Sequence, residues 1–257
     1  MREQQGISAV GKALAVFETF QRSSTSLSLT QIAHRTGLPL STTHRIVNEL
    51  SEWGALERTS DGFWHIGFRL WEVTTLCPRG HQLRELALPF MQDLYEVGHA
   101  NVQLAVREGA DHVITERITG RHSVELKTTV GSRFPLPATA LGMVLLAHAP
   151  RATQDEVLTG PLVEFTTNTV VDPQVLRAML AHIRRSQCAV SVRQVTRNTV
   201  GLAVPIRNGA KGEVHAALGA VVQGDSSAAI SSLRIPLMTA ARAISAQLDR
   251  GTEAIAG

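Results

Sequence analysis

Small hydrogen-bonding and cationic side chains follow one another closely in one stretch of the chain: Ser41, Thr42, Thr43, Arg45 and Asn48. Hydroxyl and amide groups hydrogen-bond phosphates and base edges, and an arginine binds guanine or phosphate. Farther along the chain, Arg58 adds a cation that can reach a phosphate or the minor groove. These residue types at this spacing are typical of a nucleic-acid contact surface.

Residue patterns that would indicate catalysis or metal binding are absent from the sequence. It contains none of the motifs GxSxG, HExxH, GxGxxG and GxxxxGK[ST]. Neither Cys77 nor Cys188 has neighbours at zinc-ligand spacing, and two cysteines so far apart are typical of a reducing cytoplasm. His112 and His122 flank a strand-like segment, which does not make a metal site.

The adjacent carboxylates of Asp155 and Glu156 are the remaining candidates for acid–base catalysis. They are predicted to lie in the first turn of a helix, where the helix dipole favours acidic side chains. The sequence therefore predicts no enzyme, no metal and no cofactor.

Composition places the chain among soluble globular proteins. Of its 257 residues 44% are hydrophobic and 18% are charged, which fits one large domain or two smaller ones. No apolar run is as long as a membrane span, which needs about 18 residues, and the first residues do not resemble a signal peptide. Residues 1–80 hold eight Arg and Lys against seven Asp and Glu, and residues 81–257 hold seventeen against fifteen. A nucleic-acid function must therefore depend on a motif, because bulk charge does not indicate it.

Helical periodicity dominates the first fifty residues. Apolar residues recur at helical spacing in 7–22: Ile7, Val10, Leu14, Phe17 and Phe20. A short second helix is predicted over 29–36, with Thr30 as its N-cap and Gly37 just past its end. A third helix follows, with Ile46, Val47 and Leu50 on its buried face.

A hairpin follows the third helix. Strands at 55–58 and 63–66 flank Ser60-Asp61-Gly62, and Asp-Gly is a strong hairpin signal. This order predicts a winged helix-turn-helix domain over residues 1–66, whose third helix enters the DNA major groove. Its predicted DNA-contacting residues are Thr30, Gln31, Ser41, Thr42, Thr43, His44, Arg45, Asn48 and Arg58. A plain three-helix packing unit with solvated polar residues is the alternative.

The second part of the chain changes its periodicity. A linker helix is predicted over 67–80, interrupted by Pro78 and Gly80, and a second domain over 81–257. Helices are predicted at 82–97, 139–148, 172–185 with Asp172 as N-cap, and 226–249. Alternating apolar residues predict strands near 102–106, 113–118, 124–126, 188–195, 201–207 and 214–222, with a turn at Asn208-Gly209. The fold class is therefore α+β.

Several separated segments resemble one family. LSLTQIAHRTGLPLSTTHRIVNELSEWGALER and GFWHIGFRL resemble the DNA-binding half of IclR-type transcriptional regulators. RELALPFMQDLYEVGHANVQLAVREGADHVITERI and GSRFPLPATALGMVLLA resemble the family's linker helix, effector-domain strands and signature loop, so that the resemblance covers about residues 7–250. The sequence departs from the family at Met143, where lysine is usual, and at Arg193-Gln194, where an acidic pair is common. The resemblance implies a GAF/PAS-like effector-binding domain and assembly into homodimers or homotetramers.

The loop GSRFPLPATALG enters a helix whose first N–H groups can bind an anion such as a carboxylate. The resemblance implies an effector pocket between this helix and the late strands. It places there Leu126 and Phe134 as apolar walls, Ala140 and Leu141 as backbone donors, and Ser191, Gly201, Gly219 and Val221 where relatives that recognise small oxo-acids hold polar contacts. Because three of those last four residues offer no side-chain hydrogen bond, the pocket is predicted to suit an aromatic acid or a related aromatic compound.

The sequence thus predicts a cytoplasmic, ligand-responsive regulator that acts as a repressor of a catabolic operon. It binds double-stranded operator DNA and a small organic effector, and it does not contact a membrane. Two other classes stay open at this point. One is a hydrolytic enzyme with an N-terminal protein-interaction domain, and the other is a small-molecule-binding module whose N-terminal helices contact protein.

Overall fold

The computed structural model describes residues 8–21, 24–120, 123–124, 126, 128–208, 212–224 and 227–256. The chain forms two compact units, Met1–His81 and Gln82–Gly257. Three residues named in the sequence predictions lie outside the described residues: Ile7, His122 and Gly209. None of the helices within the described residues is long and apolar enough to cross a membrane.

The N-terminal unit has the predicted order of elements. These are α1 (Ala9–Glu18), α2 (Leu29–Thr36), α3 (Leu40–Trp53), β1 (Leu56–Arg58), β2 (Trp64–Ile66) and α4 (Phe68–Thr74). The strands β1 and β2 pair antiparallel. One apolar core joins the three helices to the hairpin and consists of Val16, Leu27, Ile32, Ile46, Val47, Leu56 and Trp64. The apolar side chains that recur along the helices and the hairpin are therefore buried in one common core.

The N-cap of α2 is Ser28, and the prediction of Thr30 is wrong. The Ser28 hydroxyl accepts the Gln31 backbone N–H at 3.2 Å, and the Gln31 side chain accepts the Ser28 backbone N–H at 2.8 Å. This reciprocal pair is a capping box, which satisfies two backbone donors at once. Thr30 lies in the first turn, with its hydroxyl 2.9 Å from that of Ser28. Gly37, at φ 69°, ends α2 as predicted.

Ser28→Ala is expected to lower the unfolding free energy of the N-terminal unit by about 1 kcal/mol, because the helix start loses its cap. Thr30→Ala is the matched control and should cost only a few tenths of that. All three tryptophans, Trp53, Trp64 and Trp71, lie in this unit. Tryptophan fluorescence during urea unfolding of the full chain therefore reports on it alone. Equal losses in the two variants would contradict the assignment of the cap.

The C-terminal unit is built around one sheet. Its elements are α5 (Pro78–Gly98), β3 (Asn101–Glu108), β4 (Asp111–Ile118), β5 (Arg133–Pro135), a 3-10 turn (Leu136–Ala138), α6 (Ala140–Ala147), α7 (Arg151–Thr159), α8 (Pro173–Ser186), β6 (Ala189–Val192), β7 (Thr199–Asn208), β8 (Glu213–Gln223) and α9 (Ser227–Ala256). The linker helix predicted over 67–80 is divided in the structure, because α4 ends at Thr74. Pro78 begins α5, since proline is well suited to a first helical position, and Gly80 lies inside that helix. The α5 helix starts in the last residues of the N-terminal unit and continues past the boundary at His81.

The six strands are antiparallel in the order β5-β4-β3-β8-β7-β6. Because side chains alternate along a strand, the sheet has two faces. One face packs against α5 and α9 and includes Val102, Leu104, Leu202 and Leu218. The other packs against α6, α7 and α8 and includes Ala105, Ala203 and Ala217. The observed architecture confirms the predicted fold class.

Two local predictions in this unit are wrong. Val124 and Leu126 do not lie in a strand. The Val124 carbonyl accepts the side-chain amide of Asn101 at 2.7 Å, so a side chain satisfies it where a strand neighbour was predicted. Asp155 lies in the second turn of α7, where hydrogen bonds from Arg177 (2.8 Å) and Arg151 (3.1 Å) hold the pKa of its carboxyl below the ordinary value. Asp155 therefore ties α7 to α8.

Candidate DNA-contacting helix and ligand cavity

The solvent-facing side of α3 carries four of the nine predicted DNA-contacting residues. Ser41, His44 and Arg45 are exposed and Asn48 is half-buried, so these residues follow one another at helical spacing along one face. The Asn48 amide lies 3.3 Å from the His44 ring. Thr42 is half-buried, whereas Thr30 and Gln31 of α2 are exposed. A single polar helix face follows the tight turn at Gly37.

Thr43 does not belong to that face, although the sequence analysis placed it among the DNA contacts. It is fully buried, and its hydroxyl donates to the Pro39 carbonyl at 3.1 Å. A side chain in this position fixes the start of α3 from inside the unit. Thr43 precedes Ile46 by three residues and Val47 by four, so the helical period places all three on the inward face of α3.

Arg45 and Arg58 are both oriented by neighbours that the sequence analysis did not identify. Arg45 Nη1 lies 2.7 Å from Glu49 Oε1, and both side chains are mostly exposed. Such an exposed pair one turn apart is weak, so that a phosphate can displace the carboxylate. Arg58 is the last residue of β1 in the hairpin; its guanidinium lies over the Trp64 ring, 5.5 Å from its centroid, and remains exposed.

Seven of the eight predicted effector-binding residues line one cavity of about 70 Å³ in the C-terminal unit: Leu126, Ala140, Leu141, Ser191, Gly201, Gly219 and Val221. The strand register explains this convergence. Ser191 pairs with Gly201, and Gly201 pairs with Val221, so that the three form one row across β6, β7 and β8. Paired residues point to the same face of a sheet, here the face covered by α6.

Phe134 does not line this cavity. It lies on β5, where it pairs with His112, and its ring stacks on the His112 ring at 5.9 Å and faces Phe165 at 6.2 Å. The edge position of β5 keeps this ring away from the row formed by the late strands. Phe134, which was predicted as a cavity wall, is therefore not among the residues that line this cavity.

The cavity also has polar residues that the sequence analysis missed: Gln103, Thr128, Thr139, Gln194, Thr196 and Thr199. Gln103 is only 3% exposed, and its amide donates to the Thr128 hydroxyl at 2.7 Å. A glutamine inside the apolar strand VQLAV was the available signal. The cavity is consequently more polar than Gly201, Gly219 and Val221 alone had indicated.

The N-terminus of α6 supplies backbone donors at the cavity. The Thr139 hydroxyl caps the helix by accepting the Gly142 N–H at 3.0 Å, and the Thr139 carbonyl accepts the Met143 N–H at 2.9 Å. Within the described part of the chain, the N–H groups of Ala140 and Leu141 have no acceptor. Unpaired N–H groups at a helix start suit an anion.

His112 contacts Thr139, the residue that caps α6. It is completely buried, and its Nε2 lies 3.2 Å from the Thr139 hydroxyl. Because that hydroxyl already accepts from Gly142, its proton is available to a neutral His112. Burial lowers the pKa of His112 from the ordinary 6.5 to about 4. A neutral imidazole thus helps to orient the cap of α6.

Two family models match the chain. The IclR helix-turn-helix domain matches residues 9–60, and the C-terminal domain of the bacterial transcriptional regulator IclR matches residues 78–246. The transcriptional regulator KipR of Bacillus subtilis is 29% identical over 200 residues, which cover 77% of this chain and 80% of KipR. The transcriptional repressor AllR of Escherichia coli is 30% identical over 183 residues, which cover 70% of this chain and 68% of AllR.

Solved structures agree with these matches. An IclR homolog from Microbacterium hydrocarbonoxydans in complex with 4-hydroxybenzoate has a TM-score of 0.87 and is 34% identical, covering 94% of this chain and 99% of that one. A homolog from Microbacterium sp. strain HM58-2 is 33% identical with a TM-score of 0.61, covering 94% and 98%. The relatives are named as regulators or repressors and not as enzymes, which decides against a hydrolytic enzyme. The chain belongs to the IclR family of bacterial transcriptional regulators.

Proposed function

We propose that this regulator is a repressor of a catabolic operon, that it binds its operator as a homodimer or homotetramer, and that an aromatic acid is its effector. The observation that carries the effector assignment is the cavity at the N-terminus of α6, where backbone donors meet apolar and polar side chains. The similar structure from Microbacterium hydrocarbonoxydans holds 4-hydroxybenzoate. The relative AllR is named a repressor, which supports repression here.

The polar face of α3 is suited to base and phosphate contacts. A recognition helix reads the major groove with its N-terminal residues, and Ser41, His44 and Arg45 occupy this part of α3. The exposed Arg58 at the end of β1 in the hairpin supplies a phosphate or minor-groove contact. One such unit binds too little DNA surface for high specificity, which favours an oligomer that presents two units to two half-sites.

Exposed apolar side chains of the N-terminal unit support self-association. On α1, Val10 and Leu14 are exposed, and so are Phe68, Trp71 and Leu76 in and after α4. The rings of Phe68 and Trp71 stack with centroids 5.0 Å apart. Groups of large exposed apolar residues mark interaction surfaces, and a second copy of the chain is the proposed occupant.

The cavity matches the parts of an aromatic acid. A carboxylate would accept the N–H groups of Ala140 and Leu141, while the ring would pack on Leu126, Leu141 and Val221. Gln103 and Thr199 offer hydrogen bonds to one further polar substituent. A small oxo-acid also finds polar partners here, so the preference for an aromatic ligand depends on the apolar area that the ring buries.

Arg45→Ala is expected to weaken operator binding by about 1–3 kcal/mol, because a recognition-helix arginine loses its contact to a base or a phosphate. The thermal stability should not change, since the pair with Glu49 is exposed. Operator affinity in a band-shift titration and the tryptophan melting curve are measured together.

Glu49→Ala is the matched control for Arg45→Ala. It breaks the same ion pair but keeps the guanidinium, so operator affinity should be unchanged or higher. If Glu49→Ala weakens binding as much as Arg45→Ala does, the ion pair and not the arginine–DNA contact carries the effect. Unchanged affinity of Arg45→Ala would contradict the placement of α3 in the groove.

Aromatic acids are expected to bind at least about tenfold more tightly than pyruvate or glyoxylate, because the ring removes additional apolar surface from water. Calorimetric titration of the full chain with 4-hydroxybenzoate, benzoate, pyruvate and glyoxylate measures this ratio. Tighter binding of either oxo-acid would contradict the proposed effector class while leaving the cavity assignment intact.

A further inference from the structure

Polar side chains connect the cavity to β4. Gln103 lines the cavity and donates to the Thr128 hydroxyl at 2.7 Å. The Thr128 carbonyl accepts a hydrogen bond from Arg117 Nη1. Arg117 Nη2 donates to Asn101 Oδ1 at 2.9 Å, and the Asn101 amide donates to the Val124 carbonyl. The segment that closes the cavity around Leu126 and Thr128 is therefore held by side chains of β3 and β4.

A β-bulge in β4 determines which side chains of this connection lie on each face of the sheet. Leu104 pairs with Glu116 but Ala105 pairs with Ile114, which leaves Thr115 as the extra residue. Bulges redirect the side chains that follow them. Arg117 pairs with Gln103 on the cavity face, and Glu116 pairs with Leu104 on the face that packs against α5 and α9.

Glu116 completes the connection to α5. It is 7% exposed, and its Oε1 accepts the backbone N–H of Arg117 at 2.7 Å. Its Oε2 accepts from Nε of Arg84, which lies on α5. One carboxylate thus joins the backbone of β4 at Arg117 to the helix that begins at Pro78.

We infer that Gln103, Arg117, Glu116 and Arg84 form a coupling network that transmits occupancy of the cavity to α5, with Arg84 and Glu116 as positioning residues. The inference rests on the proposed role of the cavity as the effector site. A ligand that draws the Gln103 amide toward its own acceptor weakens the hydrogen bond from that amide to Thr128. Because an unmade hydrogen bond is costly at such a buried site, Thr128 and Arg117 must then take a new arrangement.

The position of α5 gives this coupling a consequence for DNA binding. The helix starts at Pro78, within the unit that ends at His81, so a change at Arg84 acts close in the chain to the DNA-binding unit. The competing explanation is that Arg84 and Glu116 only stabilise the C-terminal unit. Coupling is established when perturbing one end changes the other end and an intermediate substitution abolishes that change.

The test needs no ligand and uses the full chain. Gln103→Met keeps the side-chain volume but removes the hydrogen bond to Thr128, and amide hydrogen exchange of α5 is the readout. We expect α5 exchange to rise by about threefold or more, and to rise by less than about 1.5-fold when Gln103→Met is added to Arg84→Met. Thr128→Val breaks the same link from its other side and should give the same result if Gln103→Met fails to fold.

Two controls separate coupling from general destabilisation. Ser191→Ala changes the same cavity outside the network and should leave α5 exchange unchanged. Arg84→Lys keeps a cation beside Glu116 and should preserve the response to Gln103→Met. The inference is overturned if Gln103→Met and Thr128→Val leave α5 exchange unchanged, if their effect persists in the Arg84→Met background, or if Ser191→Ala produces it as well.

A ligand experiment distinguishes failure of this inference from failure of the proposed function. Arg84→Met should bind 4-hydroxybenzoate within about twofold of the wild type, whereas the effect of that ligand on operator affinity should fall by about fivefold or more. An undiminished ligand effect on operator affinity would overturn the inference. Absence of 4-hydroxybenzoate binding by the wild type would count against the proposed effector, and the exchange experiment would still decide whether the network couples.

Discussion

Gly201→Leu is expected to weaken 4-hydroxybenzoate binding by at least about a hundredfold, which is about 2.7 kcal/mol, while the chain stays folded. A Cβ on Gly201 would lie 3.6 Å from the Ala140 Cβ and 3.9 Å from the Ser191 Cβ, both ordinary van der Waals distances. The backbone therefore accepts a side chain here. Because Gly201 lines a cavity of only about 70 Å³, a leucine side chain would occupy the space of the ligand. Calorimetric titration and thermal unfolding measure the two quantities.

Gly219 is the contrasting position, although it lines the same cavity. A Cβ there would lie 2.9 Å from both the Leu202 carbonyl oxygen and the Leu141 Cδ2. The space beside Gly219 is thus taken by backbone and by α6, so Gly219→Ala should destabilise the C-terminal unit. Retained ligand binding in a folded Gly201→Leu chain would show that the ligand binds elsewhere. Equal loss of stability in both variants would contradict the open space at Gly201.

Acidification from pH 7 to pH 4 is expected to cost the C-terminal unit about 3 kcal/mol through His112 alone. Burial lowers the pKa of His112 to about 4, whereas the unfolded chain binds this proton near 6.5. The unfolded state therefore binds more protons between these values, and stability falls as the pH falls through this window. Below pH 4 both states are protonated and the loss levels off. Burial also lowers the pKa of His148, so it acts in the same direction.

His112→Gln isolates this contribution, because glutamine does not titrate and can still accept from the Thr139 hydroxyl. Urea unfolding followed by circular dichroism at pH 7, 5.5 and 4 should show a smaller loss in the variant, by about 3 kcal/mol at the lowest pH. His182→Gln, which changes an exposed histidine of the same unit, should match the wild type. Identical pH profiles for His112→Gln and the wild type would show that His112 is not held neutral.

Local patterns were sufficient for the first three helices and the hairpin of the N-terminal unit. The turn at Gly37, the Asp-Gly hairpin and the apolar spacing each depend on residues close in the chain, and all three appear in the structure. The cap at Ser28 could also have been found, since Ser28 and Gln31 have capping-box spacing. Thr43 was misplaced although its spacing of three and four residues from Ile46 and Val47 puts it on the inward face of α3, where its hydroxyl donates to the Pro39 carbonyl.

The sequence by itself determined the family, the two-part organisation, the α+β class and seven residues of the cavity, because these depend on short-range periodicity and on matching motifs. The tertiary structure decided which residues share a face. The bulge at Thr115 reverses the faces of β4, the edge position of β5 removes Phe134 from the cavity, and the pairing of β3 with β8 brings Gln103 to Gly219. Pairing between strands more than a hundred residues apart is fixed by the packing of the whole sheet and its helices, and a shift of one residue moves every side chain to the other face.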